Sequence, residues 1–145
     1  MLILGLDYGD KYIGVAISDP FGWTAQGLET IKKENENEYK KSLKRIAEIV
    51  AEYKVEKIVL GYPKNMDNSE GERCAKTNIF KERLEKRFQN ERIPVVLWDE
   101  RLSTLSVSKM LDSSNFSKDR TKRKTIIDKL ADVHILQGYL DSAAK

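Results

Sequence analysis

The sequence predicts an α/β domain organised around one mixed, five-stranded sheet, and two patterns carry that expectation. Three apolar runs come first, around Leu2–Leu6, Ile13–Ile17 and Gln26–Ile31. The links between them are too short for parallel crossovers, so these strands form an antiparallel meander. Later the pattern changes, and helices alternate with strands, the signature of parallel strands joined by right-handed crossovers. A chain of 145 residues is read as a single domain spanning residues 1–145. At this size about 68–70% of the unfolded chain's surface can be buried, enough for a real core.

Each element has its own warrant. Leu2, Ile3, Leu4 and Leu6 make the first strand, which runs out at Asp7 and Gly9, and Ile13, Val15, Ala16 and Ile17 make the second. Asp19, Pro20, Phe21 and Gly22 are turn formers. Asn35 and Glu38 match a capping box, and Leu43, Ile46, Ala47, Ile49, Val50 and Tyr53 follow at helical spacing. Lys57–Gly61 is a short buried strand, and Tyr62–Asn68 a loop. Ser69 and Glu72 repeat the capping pattern for a second helix ending near Phe88. Pro94 leads into a fifth strand, Val95–Trp98. A third helix is expected from Ser103 or Thr104 to near Leu111, and a last one from about Thr125 to Asp141. Between them, residues 112–123 carry little apolar content beyond Phe116 and read as a loop.

Composition narrows the function classes. The net charge is +3 and the pI about 8.9, which permits an anionic partner without demanding one. Cys74 is the single cysteine, so an internal disulfide and a cysteine zinc cluster are excluded, and a reducing cytoplasmic setting suits the chain. No apolar stretch reaches the roughly 18 residues of a membrane span. The N-terminal apolar run contains Asp7 and lacks a basic segment before it, so it reads as a strand rather than a signal peptide.

The chemistry lies in the acids. A charge at the end of a buried strand is costly unless it pairs or binds metal, and Asp7 sits there beside Gly9 and Lys11. Gly9 can turn sharply or let a phosphate approach the backbone. Asp99 and Glu100 end the fifth strand, and because adjacent strand residues point to opposite faces, only one of them can share a site. Asp128 and Asp132, four positions apart, lie on one helical face. Strand-end acids plus a helix acid form a cage of the oxygen ligands that hard divalent cations prefer. Blander readings stand beside these: a turn carboxylate for Asp7, surface pairing with Lys124 for Asp128, and a solvated helix charge for Asp132. Lys118, Arg120, Lys122, Arg123 and Lys124 form a basic cluster just before the acidic helix, suited to phosphate contact or to simple solvation. His134 reads as an ordinary helix residue and Cys74 as a small buried one. Asn65 and Asp67 shape their loop.

Four blocks in this order resemble the YqgF family, also described as Holliday-junction-resolvase-like or as nucleases of pre-16S rRNA. They are Gly5-Leu6-Asp7-Tyr8-Gly9 through Gly14-Val15-Ala16-Ile17-Ser18-Asp19, then Gly61-Tyr62-Pro63-Lys64-Asn65-Met66-Asp67, then Asp99-Glu100-Arg101-Leu102-Ser103-Thr104, then Ile127-Asp128 through Ala131 and on to Leu140. Asn68 stands where the family usually has Gly, and Asp132 where it usually has a second Ala. The resemblance implies a ribonuclease H-like fold and selects Asp7, Glu100 and Asp128 as metal-binding acids, with Asp132 either assisting or lying beside them. It implies a hydrolase that cuts phosphodiester bonds with Mg²⁺ or Mn²⁺, in a pair about 3.5–4 Å apart. Lys11, Arg101 and the 118–124 cluster are the expected phosphate grips. RNA, as precursor 16S rRNA, ranks before branched DNA as partner, and the chain is expected to act as a monomer or homodimer without a membrane.

Two other classes compete with this reading. The Asp7-to-Gly9 turn between strands resembles the phosphate loop of actin- and Hsp70-like ATPases, but those need a second domain to close around a nucleotide. A non-catalytic nucleic-acid-binding module would not place three acids against a polyanion without metal.

Overall fold

The computed structural model describes residues 2–9, 11–33, 39–63, 71–99 and 133–142. Its five strands are β1 (Leu2–Tyr8), β2 (Tyr12–Ser18), β3 (Ala25–Lys32), β4 (Val55–Tyr62) and β5 (Val95–Asp99), in the spatial order β3-β2-β1-β4-β5. β1, β2 and β3 pair antiparallel, whereas β4 joins β1 and β5 joins β4 in parallel. The expected meander and parallel pair are both present.

The helices divide between the two faces. α1 (Lys40–Tyr53) and α2 (Glu72–Phe88) cover one face, where Ile46, Ile49, Phe80, Leu84 and Phe88 pack on Leu4, Leu6, Ile13, Val15, Ile58 and Leu60. The third described helix, residues 133–142 and called α3 here, covers the other face. There Ile135, Leu136 and Leu140 meet Ile3, Ala16 and Val59. Full burial of each such side chain stabilises by about 1.5–3 kcal/mol, so alternation along β1 is the main determinant of which residue faces which layer.

The helix ends differ from the capping patterns. α1 starts at Lys40 with Tyr39 at its N-cap, and α2 starts after Gly71; at neither start does a cap side chain accept from a backbone N–H. Asn35, Glu38 and Ser69 lie outside the described residues, as do the expected helix from Ser103 to Leu111 and the start of the last helix. α1 ends on Lys54 in the left-handed region, φ 55°, whose N–H bonds the Val50 carbonyl. That turn feeds the chain straight into β4.

The β2–β3 connection is firmly built. The Asp19 carboxylate accepts from the Trp23 N–H and the Thr24 hydroxyl, each at 2.9 Å, and Gly22 takes φ +74°. The Gln137 side chain of α3 accepts from the Ala25 N–H and donates to the Trp23 carbonyl, both at 2.9 Å, tying this end of the sheet to the helix.

Candidate active site

Asp7 lies between Leu6 and Tyr8, both buried in the layer of α1 and α2. Strand alternation therefore sends its carboxylate to the opposite face, the one Ile3 and Gly5 share with α3. The register fixes its neighbours. Asp7 pairs with Gly14 on β2, and Gly14 with Thr30 on β3. On the other side Leu6 is level with Leu60, which puts Gly61 beside Asp7, and Gly61 pairs with Trp98. The half-buried Asp7 thus projects between two glycines, and no side chain from an adjacent strand position crowds it.

α3 seats closely on the sheet. A Cβ on Gly5 would lie 2.7 Å from the Leu136 Cβ, so only glycine lets the helix come this close. Val133 and Leu136 meet Gly27 and Gly5, which lie on one row through Ala16. One turn later Tyr139 accepts from Lys57 Nζ at 2.9 Å, and Lys57 is level with Ile3. α3 therefore crosses the sheet, from β3 at Val133 over β1 at Leu136 to β4 and β5 at Tyr139.

The fifth strand sorts its two acids by the same rule. Val95 and Leu97 pack with the α1/α2 core, while Trp98 turns to the α3 face and meets Tyr139 edge-on, ring centroids 6.0 Å apart. By the same alternation Asp99 falls on the face away from Asp7.

Behind Asp7 the hairpin turn is held from two sides. The Gly9 N–H donates to the Tyr12 carbonyl at 2.9 Å, and a Cβ on Gly9 would stand 2.9 Å from that same oxygen. Glycine is required here to close the turn. Lys33, only 7% exposed, donates its ammonium to the Tyr8 hydroxyl at 2.8 Å and the Gly9 carbonyl at 3.0 Å, and sits 4.0 Å from the Tyr8 ring centre. Tyr8 stacks on Phe80 at 4.4 Å. Sequence reasoning missed Lys33, because a lysine just past a strand in a charged run looks solvated.

Of the expected site residues, Asp7 and Lys11 are described, the latter exposed on the hairpin. Glu100, Arg101, Lys118, Arg120, Lys122, Arg123, Lys124, Asp128 and Asp132 lie outside the described residues. Among the described residues no three His, Cys, Asp or Glu side chains converge as a metal cage. Cys74 is buried, as expected. His134 has its imidazole held below the usual range by burial, in keeping with an ordinary helix residue.

A mixed sheet between two helical layers, with an acid at the end of its first strand, is the ribonuclease H-like architecture of junction resolvases. Thermus thermophilus RuvC in complex with Holliday junction substrate shares the fold at a TM-score of 0.56 and 15% identity, over 99% of this chain and 96% of that one. The fowlpox virus Holliday junction resolvase shares it at 0.54 and 17%, over 99% of both chains. Within that class, this chain belongs to the RuvX family, described as Holliday junction resolvase, whose profile matches residues 1–142. It is 55% identical over 143 residues to a protein of Bacillus licheniformis, covering 98% of both chains, and 50% identical over 145 residues to one of Desulforamulus reducens, covering 100% of both. Both relatives bear the name "Putative pre-16S rRNA nuclease". The family expected from the four sequence blocks is thus the family found, and its described class is a nuclease rather than an actin-like ATPase.

Proposed function

We propose that this protein is a divalent-metal-dependent nuclease that trims precursor 16S rRNA in the cytoplasm, with Asp7, Glu100 and Asp128 as its metal-binding acids. The observation that carries the proposal is Asp7 itself: a half-buried carboxylate on the α3 face, flanked in register by Gly14 and Gly61. Such a donor set fits a hard cation, which takes oxygen ligands and keeps waters that need room. The other two acids rest on the family resemblance of the blocks around Asp99–Thr104 and Ile127–Ala131.

When bound, the metal would lower the pKa of a water and neutralise charge on the scissile phosphate. The protein's own part is to hold and orient. Asp7 stands on a rigid strand whose following turn is locked by Gly9 and Lys33. Lys11 is exposed on that turn, and with Arg101 and the 118–124 cluster it supplies cations for flanking phosphates. Branched DNA is the second reading, favoured by the family's own description. A four-way junction has two-fold symmetry, so that reading requires a dimer.

The test is cleavage of precursor 16S rRNA against a four-way DNA junction, with Mg²⁺ or Mn²⁺ and with EDTA. Metal-dependent RNA cleavage is expected. Asp7→Asn should lower it on the order of 100-fold or more, since even outer-shell changes at metal sites cost 10–100-fold. The melting temperature should stay at the wild-type value. Full activity in that variant refutes the assignment, and cleavage of the junction alone selects the second reading.

A further inference from the structure

The open side of the Asp7 row forms a surface that the acids do not account for. Tyr12 lies two residues from Gly14 on β2, so it shares the face of Asp7. Tyr12 is 52% exposed. Across the strand pair Tyr12 meets Lys32 and Gly14 meets Thr30, and both β3 residues are exposed. The acid of β3, Glu29, is turned to the opposite face, where Arg45 of α1 holds it through two hydrogen bonds. Along from Asp7 on this face there is therefore an exposed aromatic ring on β2, with a cation and a hydroxyl on the edge strand.

We propose that Tyr12, Lys32 and Thr30 form a binding track for single-stranded RNA, leading across β2 and β3 to Asp7. This rests on the nuclease reading above. A ring with a free face stacks any base, and a neighbouring lysine meets the phosphate, the combination by which single strands are held without reading sequence. The ring also lies close enough to serve the scissile nucleotide's neighbourhood. Tyr12 is two strand residues from the level of Asp7, about 7 Å along the strand, and one strand over, about 5 Å.

The experiment measures binding of a short, fluorescein-labelled, single-stranded oligoribonucleotide to the full chain by anisotropy, in EDTA so that cleavage does not intervene. Tyr12→Ala should weaken binding about fivefold or more, the effect of losing one stacked base, while Tyr12→Phe, which keeps the ring, should bind like wild type. Lys32→Gln should weaken binding and reduce the slope of log affinity against log salt by about 0.7, the value for one phosphate contact on a single strand. Melting temperatures should remain close to wild type. Equal affinity in wild type, Tyr12→Ala and Lys32→Gln overturns the track, as does a wild type that binds no oligoribonucleotide. Wild-type binding that depends on Tyr12, without metal-dependent cleavage, leaves the track standing and overturns the nuclease reading alone.

Discussion

At the scale of single residues, what matters is which face a side chain is sent to. Asp7 and Asp99 both lie near the ends of their strands, yet alternation sends one to the α3 side and the other to the α1/α2 side. Asp99→Asn should therefore leave cleavage within a small factor of wild type in the assay that Asp7→Asn abolishes; equal losses in both would show that Asp99 serves the site. Glu29 offers a second residue-scale test. Its hydrogen bonds to the Arg45 guanidinium hold its carboxyl below the usual range. The unfolded chain thus takes up a proton before the folded one, so the stability from this pair is full above about pH 4.5 and is lost as pH falls through the lower folded value. Between pH 5 and pH 3 the urea midpoint of wild type should fall further than that of Glu29→Gln. Parallel declines would mean that the pair contributes nothing measurable, as many exposed pairs do. Asp7 was legible in the sequence because a charge at the end of an apolar run is costly to bury. Tyr12, Lys32 and Lys33 were not, because exposure, cross-strand partners and the Gly9 carbonyl are set by register and by the fold of the turn, which no local pattern encodes.

At the scale of elements, α3 is placed by an absence. Gly27, Ala16 and Gly5 form a row of small residues on which Val133 and Leu136 settle. Gly5→Ala would press a Cβ against Leu136 at 2.7 Å, and such overpacking costs about 1–3 kcal/mol. Pairing it with Leu136→Gly, which removes the clashing Cβ, should recover part of the loss, a coupling readable as non-additive urea midpoints. Strict additivity would place the helix elsewhere. Strands and helices were legible wherever one face is buried, since Leu2–Tyr8 and Leu43–Tyr53 show their period openly. The helix starts were not. α1 and α2 begin after Tyr39 and Gly71 without a side-chain cap, so packing on the core sets those ends more than local capping does. The larger core is a further element-scale target: Phe80 is fully buried and stacks on Tyr8, and Phe80→Ala should cost about 3–5 kcal/mol, visible as a lower urea midpoint.

At the scale of the whole molecule, the sheet separates support from chemistry. One side, with α1 and α2, is packed with large side chains; the other carries Asp7 and the small-residue row under α3. The topology follows from short links and then long crossovers, which is why the sheet order could be anticipated from the sequence, whereas how the acids assemble depends on contacts between distant parts of the chain. Electrostatics also belongs to this scale. A net charge of +3 is small, so affinity for a polyanion must come from how the cations are arranged. Neutralising Lys122 and Arg123 together should lower the salt slope of single-stranded RNA binding by about 1.4, twice the value per contact, and should do so equally for unrelated sequences; an unchanged slope would mark that cluster as solvated surface. The clasp between Gln137 and the β2–β3 connection has a consequence in time. Ala25 and Gln137 are 112 positions apart, and at typical rates of synthesis the ribosome takes roughly 6–20 s to travel between them. The meander that bears Asp7 is thus exposed to the cell well before its covering helix has been made. With the acids proposed above, a nascent chain lacks Asp128, which precedes that helix in sequence, until nearly all of the protein has been synthesised.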